Sequence, residues 1–373
     1  MEALILSCGT GGGHDSAAKA VLEEMERRGH HAVMMNPYTL KSDRLAGGIN
    51  KTYISLARDV PGAFGAVYKL GDLYRRLPFR SPVYFVNQGM DGVLEDYLSE
   101  HPYDIVLTTH LFGAEILTNM KLHGIHVPKT LFIATDYVCI PFTEETQCDA
   151  YVIPAADLAE DFSGRGIPAE KLHPLGIPTA LCFRGEESRE SIRLRLGLEP
   201  DRKYVLIAGG SMGGGGIARS IQKLQTHFAG QEEVSLIVVC GSNRALFNRL
   251  KDNPCPGMTV MGYCDDMASY LRACDLFITK PGGLSSTEAA VCGVPIFHTA
   301  LIPGCETFNA RYFSGHGMSV CGNIDDSFLS ELDRFLKDPR LGSAMAECQK
   351  RGVNPLAAAD ICGLAESMAS GAL

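Results

Sequence analysis

Ten short apolar runs set what this 373-residue chain can fold into: ALILSC, HAVMMN, DIVLTTH, KTLFIATD and AYVIPA in the first half, then KYVLIAGG, VSLIVVCG, MTVMGY, LFITKPGG and VPIFHT in the second. Each is apolar at consecutive rather than alternate positions, so both faces of the strand must be covered. Glycine, proline or acidic turns follow the runs, and then stretches of helical period. Strands buried on both faces and alternating with helices make parallel, doubly wound α/β sheets. The series restarts at YVLIAGGSMGGGG, a second strand, glycine loop and helix laid out like the first, LILSCGTGGGHDSAAKAV. This predicts two Rossmann-like domains in tandem, residues 1–178 and 179–345, with a helical segment 346–373 packing back on the first. Ligands of such sheets bind at the carboxyl ends of the strands, here expected to face a central cleft.

Composition narrows the function. Apolar residues make up 46 % and charged residues 21 %, ordinary for a globular protein. A net charge of -9 argues against nucleic acid as a partner. Thirteen cysteines without a CxxC pair read as reduced core thiols in a cytoplasmic protein and supply no metal site. The start, Met1-Glu2 and then a strand-like run, has no basic region or small-residue cleavage site of a signal peptide. Apolar runs all fall short of the roughly 18 residues of a spanning helix, so membrane contact is expected to be peripheral.

One segment breaks the alternation. From Lys41 to Arg80 there are eight basic and three acidic residues, with Tyr53, Phe64, Tyr68, Tyr74 and Phe79 interleaved. At about 1 kcal/mol per cation near an anionic bilayer, the excess of five could supply at most about 5 kcal/mol, enough for reversible surface binding. The alternative is a solvated helical pair with buried aromatics.

Three loops are candidates for chemistry. Gly9 to Gly13 lacks the third glycine of a dinucleotide fingerprint, because His14 stands there, and the second strand run ends in Asn36 rather than an acid. Neither glycine run carries the Gly-Lys-Ser/Thr of a Walker loop. What remains is a permissive backbone at a helix start with His14 in the first turn, where the helix dipole favours the neutral, proton-accepting imidazole. A simple helix cap is the competing role. The second loop, Gly209 to Gly216, opens the helix IARSIQKL and suits a diphosphate. In the third, KPGGLSSTEAAVCGVPIF, Ser285 and Ser286 are candidate caps, and Glu288 could complete a capping box or accept both hydroxyls of a ribose.

Read together, GTGGGHDSAAKAV, GGSMG, VVCGSN, GYCDDM, KPGGLSSTEA and PGCETFNA resemble, in order and spacing, the monogalactosyldiacylglycerol synthase and processive diacylglycerol glucosyltransferase family, related to the lipid II GlcNAc-transferase. The resemblance implies the GT-B fold and an inverting, metal-independent transfer of a hexose from UDP-glucose or UDP-galactose. The acceptor would be diacylglycerol or a glycosyl-diacylglycerol, at the cytoplasmic face of the cell membrane. UDP-sugar would be a co-substrate, and no cofactor is implied. For the donor site the resemblance implies Gly210, Ser211, Met212 and Gly213 near the diphosphate, with Asn243, and Tyr263 at the base. Gly283, Leu284 and Ser285 would offer helix-end amides, Glu288 would hold the ribose, and Glu306, Thr307 and Asn309 would meet the sugar. The acceptor side would take Gly11, Gly12, Gly13 and His110, with His14 as the base and Asp136 as its partner or rival. The Lys41 to Arg80 segment lies where the family docks on membranes. Two departures stand out. Cys305 occupies a position where many members have Gln, and Ile140 and Thr143 stand where many have His and Trp. A UDP-sugar epimerase and a non-catalytic nucleotide-sugar sensor are the competing functions for the same donor motifs.

Overall fold

The computed structural model describes residues 1–9, 12–44, 46–48, 71, 74, 79–211, 217–299, 301 and 304–372. These form two compact units, Met1–Ala180 with Asn354–Leu373, and Leu181–Val353. The first unit runs β1 (Glu2–Leu6), α1 (Gly13–Arg27), β2 (His31–Met35), α2 (Pro82–Asn87), α3 (Asp91–Glu100), β3 (Ile105–Thr108), α4 (Leu111–Leu122), β4 (Lys129–Ile133), β5 (Ala150–Val152), α5 (Ala159–Gly164) and β6 (Leu172–His173). The second runs α6 (Arg189–Arg195), β7 (Lys203–Ala208), α7 (Ile217–His227), β8 (Val234–Val239), α8 (Arg244–Asp252), β9 (Met258–Met261) and α9 (Met267–Ala273). It continues with β10 (Leu276–Thr279), α10 (Gly283–Cys292), β11 (Ile296–His298), α11 (Cys305–Gly315), β12 (Val320–Cys321), α12 (Asp326–Lys337) and α13 (Pro339–Gly352). A last helix, α14 (Ala357–Ala369), belongs to the first unit.

Both sheets are parallel and six-stranded, in the orders β2-β1-β3-β4-β5-β6 and β12-β11-β10-β7-β8-β9. The ten apolar runs all become strands, for the reason the pattern implied: successive residues go to opposite cores. In β1, Ala3 and Ile5 pack with Val21, Met25 and Ile361, whereas Leu4 and Leu6 pack with Leu94, Ile116 and Met120. Fully burying such a side chain is worth about 1.5–3 kcal/mol, so a strand of this kind is stable only with helices on both sides.

The boundaries differ from the expectation of 178 and 345. The first unit extends to Ala180, and residues 346–353 stay with the second. Gln349 explains the latter, because its buried amide donates to Val294 O (3.0 Å) and Met318 O (3.1 Å), both in the second unit. After Val353 the apolar face of α14 turns to α1, burying Ile361, Cys362 and Ala365.

In each unit the chain order reverses beside the first strand. After β1 the chain moves to β2 and then returns to β1's other side at β3. After β7 it moves through β8 and β9 and returns at β10. The loops following β1 and β3, and those following β7 and β10, therefore part at topological switch points, where doubly wound sheets leave a crevice.

Close approach at the first of these points depends on Gly113 in α4. A Cβ there would lie 2.4 Å from Thr108 Oγ1 and 3.2 Å from Leu6 Cβ. Thr108 cannot yield freely, since its buried hydroxyl donates to His110 O at 2.9 Å. Gly113→Ala is expected to cost about 2 kcal/mol by overpacking, read as a lowered urea midpoint with an unchanged m-value.

Candidate functional site

At the first switch point, α1 starts behind Gly12, whose φ of 82° favours glycine and which makes no side-chain cap. His14, the second residue of the helix, is half-buried. Its Nδ1 lies 2.7 Å from Thr109 O and 3.0 Å from Thr135 Oγ1, while the Thr109 hydroxyl donates to His14 O at 3.1 Å. A carbonyl oxygen can only accept, so the proton on His14 belongs on Nδ1 and Nε2 carries the lone pair. Thr109 follows β3 and Thr135 follows β4, so both neighbouring strand ends anchor the ring.

His110 performs a different task. Its Nδ1 accepts from Phe112 N at 3.1 Å, capping α4, and its ring meets His14 edge-on with centroids 4.5 Å apart. Burial, with His14 adding a smaller push, holds His110 well below the usual histidine range. It is therefore a neutral Nε2–H donor beside His14. A small cleft is lined by His14, Thr109, Thr135, Asp136, Ile140 and Thr143. Ile140 and Thr143, two of the three positions that depart from the family pattern, thus both line the His14 cleft. Gly13 opens α1, and Gly11 lies outside the described residues.

At the second switch point the loops after β7, β8, β10 and β11 meet. Gly210 has a φ of 73°, and a Cβ there would sit 2.9 Å from Lys280 Cε. Ser211 O accepts from Ser242 N at 2.9 Å, and a Cβ on Gly241 would lie 2.4 Å from that same carbonyl oxygen. Asn243 caps α8, its Oδ1 accepting from Leu246 N at 3.0 Å. Met212 and Gly213 lie outside the described residues.

Lys280 pairs with Glu306, both largely buried. Sequence reasoning passed over this lysine, although a cation at the end of an apolar strand and just before a glycine turn was a signal. Asn309 donates to Pro281 O at 3.1 Å, tying α11 to the turn before α10, and Thr307 lies with Glu306 in the first turn of α11. Removing one partner of a buried pair leaves an uncompensated charge. Lys280→Met is expected to cost about 2 kcal/mol in urea unfolding, and adding Glu306→Gln should recover more than half of that.

The candidate caps of α10 are corrected by the structure. The helix begins at Gly283, with Gly282 as the N-cap and no side-chain cap bond. Ser285 instead donates to Gly282 O at 3.4 Å, and Ser286 turns inward. Glu288, the sixth helical residue, is too far along to close a capping box. The amides of Gly283, Leu284 and Ser285 are thus left at a bare helix N-terminus, with the positive end of the dipole. Glu288 keeps some exposure, yet burial around its carboxyl pushes it up to about 8. Tyr263, two residues beyond β9, is 67 % exposed, and none of the contacts above reaches it.

The comparisons with known proteins follow the same division. Residues 14–179 match the family model described as monogalactosyldiacylglycerol (MGDG) synthase, and residues 189–354 match glycosyl transferases group 1. A processive diacylglycerol beta-glucosyltransferase of Bacillus licheniformis is 25 % identical over 342 residues, covering 90 % of this chain and 87 % of the relative. The solved structure of MurG from Acinetobacter baumannii is similar at a TM-score of 0.62 and 18 % identity, over 98 % of this chain and 99 % of that one. The glycotransferase of kitacinnamycin is similar at 0.64 and 15 %, over 98 % of each chain. With the two family models matched in order along a GT-B fold, the chain is a glycosyltransferase that carries a monogalactosyldiacylglycerol synthase domain followed by a glycosyl transferases group 1 domain.

Proposed function

We propose that this glycosyltransferase moves a hexose from UDP-glucose or UDP-galactose to diacylglycerol or a glycosyl-diacylglycerol, with inversion and without a metal, at the cytoplasmic face of the membrane. The observation that carries this reading is the His14 ring, held by a carbonyl on Nδ1 so that Nε2 can take a proton. In the reaction the acceptor hydroxyl gives its proton to Nε2. Its oxygen bonds to the anomeric carbon, and the bond from that carbon to the UDP oxygen breaks. The charge that develops on UDP is met by the amides of Gly283, Leu284 and Ser285, a preorganised site of the kind that usually supplies the largest catalytic term. Glu288 takes the ribose and Glu306 the sugar hydroxyls. The diacylglycerol acceptor is supported by relatives named as processive diacylglycerol beta-glucosyltransferases.

Membrane docking is supported by the surface beside the basic segment. Phe79, Phe85 and Val86 are 68 %, 56 % and 69 % exposed, more than large apolar side chains normally show on one short stretch. Arg80, counted among the surface cations on sequence grounds, instead donates to Glu145 O at 2.9 Å and lies over Tyr84. Most of the segment from Lys41 to Arg80 lies outside the described residues. Among the described residues no helix is long and apolar enough to cross a membrane. The deciding experiment incubates the protein and anionic, diacylglycerol-containing liposomes with labelled UDP-glucose, UDP-galactose and UDP-GlcNAc in turn. Labelled glycolipid from one of the two hexose donors is expected; none from any donor overturns the reading.

A further inference from the structure

Nothing on α10 itself caps its N-terminus, so the position of its amides must be set from outside the helix. Two bonds do so. Asn309 holds the preceding turn through Pro281 O, and Ser286 Oγ lies 2.9 Å from Nε2 of His298, the last residue of β11. Ser286 and His298 are both fully buried. Among the described residues the second nitrogen of His298, Nδ1, has no hydrogen-bond partner, and neither does Thr279 Oγ1 on the neighbouring strand, the parallel-register partner of His298. An orphaned polar atom is costly, and an apolar pair of the same shape would avoid it. That cost is kept directly beneath the helix end assigned to the donor diphosphate.

We propose that His298 is a positioning residue for the donor site: through Ser286 it pins the first turn of α10 to the end of β11 and so sets where the amides of Gly283, Leu284 and Ser285 stand. The inference rests on the donor reading above and adds a residue to it. Two further facts agree. Burial holds His298 down at about 3, so the peg keeps one charge state over the working pH range. The ring also packs edge-on against Phe313 of α11, at 5.6 Å between centroids, which limits its freedom to tilt. Phe313 and Asn309 lie on one helix, so β11 and α11 grip the entrance of α10 together.

The test compares His298→Leu, Ser286→Ala and the conservative His298→Gln in the full chain. Hydrogen exchange is read at the amides of residues 286–288, where Ser286 N bonds to Gly282 O; UDP affinity is read by calorimetry, and donor KM against kcat in the liposome assay. His298→Leu and Ser286→Ala are each expected to lower amide protection, to raise the UDP Kd and donor KM about tenfold, and to lower kcat about tenfold as well, because the same amides meet the charge that develops on the departing UDP. His298→Gln, which keeps a nitrogen near Nε2, should restore most of each. Combining His298→Leu with Ser286→Ala should recover thermal stability, because no buried partner is left alone, but not UDP affinity. Unchanged protection in a folded His298→Leu overturns the proposal, as does unchanged UDP affinity. Should the unaltered protein fail to bind UDP, the donor reading falls, and the exchange measurement still decides whether His298 holds the helix.

Discussion

Replacing His14 with alanine is expected to lower kcat about a thousandfold while leaving the Kd for UDP within a factor of about two. Positioned general-base catalysis contributes typically 10²–10⁴, and an alcohol is a weak nucleophile that needs it. The size of the effect follows from the inability of the neighbouring imidazole to take over the proton. His110 is the adjacent imidazole, 4.5 Å away between centroids, but its Nδ1 is occupied by Phe112 N and its Nε2 carries a proton. It can donate a hydrogen bond and cannot accept the acceptor's proton. Among the described residues that line the same cleft, Asp136 is the rival base. Single-turnover measurements with liposomal diacylglycerol separate the two. A loss near a thousandfold for His14→Ala with a smaller one for Asp136→Asn assigns the base to His14, whereas His14→Ala activity within a factor of a few reduces His14 to a helix-end residue. Thr135→Val should fall between, at about a threefold loss, because Thr109 O still holds Nδ1.

The second large effect concerns Glu288. Burial pushes its carboxyl up to about 8, so in the empty site it is mostly protonated at pH 7. Accepting two ribose hydroxyls requires the carboxylate, and a group favoured as the anion in the complex must give up its proton on binding. UDP-glucose affinity is therefore expected to rise about tenfold per pH unit as pH climbs from 6 towards 8, then level off. A diphosphate diester does not titrate in this range, so the proton comes from the protein. Glu288→Gln should flatten the profile and weaken binding about a hundredfold at pH 8. Calorimetry in buffers of different ionisation enthalpy measures the proton release directly, and flat affinity between pH 6 and 8 in the unaltered protein would falsify a ribose-binding carboxylate at this position. The same shift has a stability consequence of opposite direction. The folded value of about 8 lies above the unfolded one near 4.5, so the folded chain holds the extra proton and unliganded stability declines as pH rises between them.

Much of the architecture was legible in the chain because buried parallel strands have a strong signature. Runs such as VSLIVV, every residue of which is buried in β8, cannot be placed on a half-exposed sheet. The strands β6 and β12, of two residues each, were missed because no periodicity can be read over so few positions. Around the site, glycine loops and lone polar residues were visible as types, but their partners were not. Ser285 and Ser286 were read as caps from their place before an apolar stretch, whereas the helix starts earlier and turns Ser286 onto His298.

By itself the sequence determined the parallel class of both sheets, the two-unit succession and the loops that end on glycine, since these depend on hydrophobic period and backbone freedom along contiguous residues. Tertiary structure alone decided which side chains meet. The reversal of strand order at β1 puts Thr109 and Thr135 beside His14, 95 and 121 residues away, and the pairing of β11 on β10 puts Glu306 beside Lys280. No local pattern encodes such pairings, because they arise from the crossing of connections over a twisted sheet. The proton's place on His14 belongs to that second category: a carbonyl oxygen from another strand accepts from Nδ1–H and leaves Nε2 able to act as a base.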